Sequence, residues 1–181
     1  MLAAAPHPAR LLTTFQRQSD AIHSEFRSRC RGVSRDEAPG PEIRHATTVA
    51  VAGRGLMIEG PSGTGKSTLA LELMAYGADL VADDRTLLRR GAGPVAIWAE
   101  APPMLPALIE ARGLGLLGAR LAGPVPLCAV VQLDLVETSR LPDRRSVTIL
   151  GRQVTMFHRP ERGPFAAALL QYLRASEEKC S

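Results

Sequence analysis

Aromatic residues make up only 4% of the 181-residue chain, so its interior has to be packed with Leu, Val, Ile and Ala. That scarcity argues against a reader of single-stranded nucleic acid, which stacks bases on aromatic side chains. Lysine is almost missing: of 22 basic residues only Lys66 and Lys179 are lysines. The three cysteines, Cys30, Cys128 and Cys180, are far apart, odd in number and in no metal-ligand spacing. They predict reduced thiols in a cytoplasmic protein and no zinc site. Long hydrophobic runs are absent as well. The most apolar stretch, residues 125–136, is broken by Pro126, Gln132 and Asp134 and is too short for a bilayer, so no membrane partner is expected. The net charge is a mild +4, and residues 1–44 carry seven arginines against five acids, which is half of that excess. With no run of like charges, nucleic acid is not an expected partner.

What is present is ordinary in proportion: 45% hydrophobic and 22% charged residues exclude collagen-like, coiled-coil and wholly disordered chains. The length suits one domain. Residues 1–41 mix Arg, Ser, Gln, Ala and Pro without periodicity and end in the breaker run Ala38-Pro39-Gly40-Pro41, which predicts a poorly ordered N-terminal extension. A frayed amphipathic helix over residues 11–26 is the less favoured reading. The first nineteen residues hold arginines and no acid, a composition compatible with an organelle transit peptide or an overlong start. Residues 42–175 are expected to fold and residues 176–181 to form a tail.

Within the folded part, residues 47–52 and 56–59 alternate around Gly53-Arg54-Gly55 as a β-hairpin. A glycine-rich loop follows, then a helix over Lys66–Tyr76 with Leu69, Leu73 and Met74 on one face and Gly77 closing it. Residues 79–82 read as a short strand, and residues 86–90 and 95–98 as a hairpin around Gly91-Ala92-Gly93. Residues 104–111 read as a helix left through Arg112-Gly113-Leu114-Gly115, and residues 127–135 as a buried central strand. A charged loop over 140–145, a third hairpin from 146–149 and 153–157 around Gly151, and a final helix over 165–174 complete the pattern.

Gly60-Pro61-Ser62-Gly63-Thr64-Gly65-Lys66-Ser67 fits the P-loop pattern G-x-x-x-x-G-K-S/T at every fixed position. Such a loop curls its N–H groups inward around phosphate oxygens, with the lysine on the β- and γ-phosphates and the serine hydroxyl on Mg²⁺. It lies between a predicted strand and a predicted helix, as that mechanism requires. Lysine is also the residue this position needs, a slim ammonium that arginine's fork does not replace. The alternative is a purely structural glycine loop.

Asp83-Asp84 ends the strand after the P-loop helix, where one carboxylate can accept the proton of an attacking hydroxyl and the other hold Mg²⁺. The bland alternative is a solvated turn.

Four linked segments then bring a family into view: His45 through Gly53-Arg54-Gly55, the loop Gly60 to Ser67, Leu80-Val81-Ala82-Asp83-Asp84, and Ile109-Glu110-Ala111-Arg112-Gly113-Leu114-Gly115. In order and spacing they resemble the catalytic domain of bacterial HPr kinase/phosphorylase, most closely the short α-proteobacterial form without the family's N-terminal domain. The resemblance covers residues 43–157. It implies an α/β domain of the phosphoenolpyruvate carboxykinase-like type, a mixed sheet with hairpins and a few flanking helices. It implies an ATP- and Mg²⁺-dependent kinase acting on a serine of HPr, the phosphocarrier of the sugar or nitrogen phosphotransferase system, with homo-oligomers that are hexameric in the family.

By the same resemblance, Asp83 is the base, His45 tunes it, Asp84 and Glu110 join Ser67 in supporting Mg²⁺, and Arg140 is a mobile-loop arginine approaching the phosphoryl group. Without it, His45, Glu110 and Arg140 read as solvated surface residues. Arg112-Gly113-Leu114-Gly115 matches the signature linked to phosphorolysis. Thr68 departs from the family, which usually has an acid after the P-loop serine, and residues 159–164 lack its clear C-terminal motif. Two competing readings are a small-molecule P-loop kinase with Asp134 as the metal-side acid, and a regulatory ATP-binding module without transfer activity.

Overall fold

The computed structural model describes residues 39–92 and 97–175, all within one compact unit, Pro39–Ser181. The proposed extension before Pro39, its helix over residues 11–26 and the tail from 176 onward lie outside the described residues. Among those described there are eleven strands and two helices, and no helix is long and apolar enough to cross a membrane.

The hairpin expected over residues 47–59 forms as β2 (Thr47–Val51) and β3 (Arg54–Glu59), antiparallel with Val51 opposite Arg54. Its turn is tighter than expected: Ala52 and Gly53, at φ 50° and 74°, make the two-residue connection, and Arg54 and Gly55 already belong to β3. Two positive φ angles in succession match the right-handed twist of paired strands. Leu150 and Gly151 repeat the device, at φ 47° and 76°. They join β10 (Arg145–Ile149) to β11 (Arg152–Pro160).

The long strand β9 (Val125–Glu137) is the axis of the sheet. It runs parallel to β3 on one side and to β11 on the other. At its start Val125 and Pro126 pair with β6 (Ile97–Glu100), which continues through β5 (Thr86–Arg90) to β1 (Glu42–Arg44). On the far side β3 leads through β2 to β4 (Asp79–Ala82). The β3–β9 register steps from Gly55↔Leu127 to Leu56↔Ala129, so Cys128 is skipped as a bulge.

Both faces of the central strands are covered, which is why β2 and β3 read as nearly unbroken apolar runs. One cluster joins Val49, Val51, Leu56, Ile58 and Val131 to Leu69 and Leu73 of α1 (Lys66–Ala75) and Leu169 and Leu173 of α2 (Phe165–Ala175). The other joins Ala50, Met57 and Val130 to Leu88 of β5, Ile97 of β6 and Val154 of β11. α1 ends as expected at Gly77, φ 97°, with Gly77 N–H on Met74 O at 2.9 Å and Ala78 N–H on Leu73 O at 3.0 Å.

One expectation is corrected. Residues 104–111 are not a helix: β7 (Leu108–Ala111) pairs with β8 (Gly115–Gly118) as a small antiparallel hairpin. Pro102, Pro103 and Pro106 withhold helical donors, and the four residues of β7 bury Ile109 and Ala111 while exposing Glu110, an alternation of period two. Gly113 and Gly115, at φ 85° and 109°, are therefore hairpin-turn residues and not a helix exit.

Leu73 is fully buried where α1, α2 and the sheet meet. Leu73→Ala should cost about 2–5 kcal/mol, read as a lower denaturation midpoint with an unchanged slope in urea.

Candidate functional site

β3 delivers the chain to Gly60, whose φ of 144° opens the loop, and Gly63 and Gly65 follow at 85° and 96°. A Cβ on Gly60 would lie 2.8 Å from Thr64 Oγ1. That hydroxyl donates to Pro61 O at 2.8 Å and closes the loop on itself. Gly65 caps α1, and Lys66 is its first residue, so the helix N-terminus opens toward the loop.

Lys66 is buried. Its ammonium donates to Gly60 O at 2.9 Å and Pro61 O at 3.3 Å and lies 3.2 Å from His45 Nε2. An ammonium has only donors, so Nε2 must accept and the proton of neutral His45 sits on Nδ1. Nδ1 in turn lies 3.1 Å from Asp84 Oδ1. Lysine, imidazole and carboxylate thus form one line across the site.

Asp83 is held differently. Its Oδ1 accepts from Thr47 Oγ1 at 2.8 Å and Ser67 Oγ at 3.1 Å, and its Oδ2 from the Glu110 N–H at 3.0 Å. Strand register makes this meeting: Thr48 stands opposite Ala82, which carries Thr47 to the position facing Asp83. Behind it, Thr48 and Thr86 share a buried hydroxyl contact at 2.7 Å, and Thr86 Oγ1 donates to Ala46 O. Asp84 takes φ 64°, which turns the chain between the two carboxylates.

The result is a cleft of about 270 Å³. Ser62, Gly63, Gly65, Lys66, Ser67 and Thr68 wall one side, and His45, Asp84, Glu110 and Arg112 the other. Loop amides, a helix N-terminus and two cations around an open space suit a phosphorylated anion. The Ser67 hydroxyl and Asp83 carboxylate are hard oxygen donors, and no group of three or more His, Cys, Asp or Glu side chains gathers among the described residues. That set fits Mg²⁺, which keeps waters and takes its remaining ligands from substrate phosphates.

Sequence reasoning found most of this constellation. Thr47 and the Glu110 N–H were missed, since neither carries a signal without knowledge of the register. Arg140 is not brought in: it is exposed in the loop after β9 and does not line the cleft. That loop borders a second cavity, of about 200 Å³, above Met156, Phe157 and Tyr172. Beside it, Glu137 is held below the usual carboxylate range by the Ser139 N–H and by Arg145.

A P-loop entered from an antiparallel hairpin, facing a paired-aspartate turn, defines a P-loop α/β domain. Residues 40–123 match the family model of the HPr serine kinase C-terminal domain. HPr kinase/phosphorylase of Nitrosomonas europaea is 49% identical over 77 residues, 42% of this chain and 24% of the relative. That of Cupriavidus metallidurans is 38% identical over 135 residues, 68% of this chain and 41% of the relative. This chain therefore spans well under half the length of these relatives. The solved HPr(Ser) kinase/phosphatase from Coxiella burnetii superposes with a TM-score of 0.62 at 20% identity, over 74% of this chain and 88% of that one. Residues 40–123 are of the HPr serine kinase C-terminal type, and the expected α/β fold, with its mixed sheet, hairpins and flanking helices, is the one observed.

Gly60→Ala puts a methyl group against Thr64 at a positive φ. It should weaken binding of pyrophosphate or ATP about tenfold by calorimetry while the far-ultraviolet spectrum is unchanged.

Proposed function

We propose that this chain is an ATP- and Mg²⁺-dependent protein-serine kinase, acting on HPr or its nitrogen-system counterpart and thereby regulating the phosphotransferase system. The observation that carries this reading is the unequal treatment of two adjacent carboxylates. Asp83 is engaged by three donors, one of them the P-loop serine. Asp84 stands at the cleft with His45.

This favours the reverse of the division expected from the resemblance. In our reading Asp83 is the metal-side acid, acting with Ser67. Asp84 accepts the proton of the incoming serine hydroxyl, and His45, donating from Nδ1, orients its carboxylate. Lys66 would leave the loop carbonyls for the β- and γ-phosphates of bound ATP, where its charge opposes the one that develops during transfer. Bound Mg²⁺ would supply further charge neutralisation. Glu110 braces Asp83 through its main chain, with its side chain facing the cleft. Arg112 adds a second cation opposite the loop, and Arg140 would need to move to reach the phosphoryl group. Location in the cytoplasm, assembly into homo-oligomers, hexameric by the family resemblance, and a reverse, phosphorolytic reaction belong to the same proposal.

The competing small-molecule kinase needs Asp134 as the metal-side acid, but Ser67 donates to Asp83 and Asp134 is exposed on β9. A nucleotide-binding module without activity has no need for the line from Lys66 through His45 to Asp84.

Labelled ATP, Mg²⁺ and HPr, followed by mapping of the label, should place phosphate on a serine; label on histidine, or none, overturns the proposal. Asp84→Asn should lower kcat about 100-fold or more with ATP affinity nearly unchanged. Asp83→Asn should raise the Mg²⁺ requirement, and Asp134→Asn should behave like the wild type. An Asp84→Asn enzyme of normal kcat would return the base to Asp83.

A further inference from the structure

Arg44 is the last residue of β1 and Glu59 the last of β3, and each is followed at once by part of the site, His45 and Gly60. No ladder joins these strands: β5, β6 and β9 lie between them along the sheet. Their side chains meet nonetheless. Arg44 Nη1 donates to Glu59 Oε1 at 3.1 Å while its Nε donates to Glu42 Oε1 at 2.9 Å. The second oxygen of Glu59 accepts from Gln132 Nε2 of β9 at 3.1 Å. The side chains are 22% and 13% exposed, and neither lines the cleft. Burial opposes the charge of Arg44, and Glu59 and Glu42 outweigh it, so the guanidinium holds its proton more firmly than usual.

We infer that Glu59 and Arg44 are positioning residues that fasten the entry of the phosphate loop to the segment carrying His45. The β2–β3 ladder, with Thr47 opposite Ile58, holds the two segments together two residues from His45, and the clasp fixes the bend that remains, which carries the line Lys66, His45, Asp84. Its three members come from α1, from the bend after β1 and from the turn after β4, and the imidazole reaches both neighbours only if the first two stay in register. Glu59 spans the gap because it has two acceptor oxygens for donors arriving from opposite sides. Arg44 spans it because a planar fork serves two carboxylates at once, which the point charge of lysine does not. The clasp deepens the kinase reading and rests on it for its consequence in catalysis.

The test uses the full chain, free of nucleotide, with isotope-labelled histidine. In Glu59→Gln and in Arg44→Lys the imidazole nitrogen resonances of His45 should shift while those of His158 stay. With HPr and ATP, each variant should lose about tenfold in kcat with KM for ATP within about twofold. The double variant should be no worse than the poorer single one, since both cut the same link. Unchanged His45 resonances overturn the inference whatever the activity, and so does an additive double variant. A loss of melting temperature with the His158 resonances shifting as well would make the pair a mere support of the fold and overturn it too. If the wild type transfers no phosphate to serine, the kinase reading falls, and the resonances still decide the clasp.

Discussion

Everything at the cleft hangs on one carboxylate. Asp83 gathers a hydroxyl from β2, a hydroxyl from the first turn of α1 and an amide from β7. β2 pairs with β4, and Ile109 of β7 shares an apolar cluster with β2 and α1, so the carboxylate fixes the fine geometry of elements that packing brings together. A carboxylate accepting several charge-assisted hydrogen bonds is a strong and directional joint, since each donor removed takes one partner from a charge in a half-closed site. It sets the height of α1 over the sheet, and with it where Lys66 and the loop amides point. It also brings in the β7–β8 hairpin, which otherwise belongs to a separate two-stranded sheet.

The rest of the fold makes that joint affordable in entropy. β2, β3 and the first half of β9 are buried on both faces, so packing already restricts the chain that the polar contacts join. The loop leaves the end of β3 and the turn of Asp83 and Asp84 leaves the end of β4, strands that both pair with β2. Strand β2 is therefore the ruler of the site: His45 and Thr47 lie at its start, the loop beside it, the aspartates on its other side. The candidate site's side chains sit on short irregular segments, and the strands that carry those segments are buried.

The phosphate loop was legible because its signal is local. Glycines at fixed spacing before a lysine and a serine need only their own backbone to form the nest, and an apolar strand before and an apolar helix face after are local patterns too. The two tight hairpin turns, with glycine second, were legible for the same reason, although the first was placed one residue late. Residues 104–111 were misread because Leu, Ile, Glu and Ala serve equally in a helix, and only pairing with β8 decides the matter. The bulge at Cys128 was invisible, since it depends on what lies alongside and not on what comes next.

The two aspartates mark the boundary between the kinds of knowledge. Sequence alone determined that a phosphate loop, a basic residue of the right kind and two adjacent acids exist in this chain, because these are facts of local chemistry and order. Which acid faces the serine hydroxyl and which faces the histidine was decided by tertiary structure. Neighbouring residues at a strand end point in opposite directions, and the 64° φ of Asp84 turns them further apart. Their surroundings come from residues tens of positions away, so identical side chains one residue apart acquire different partners.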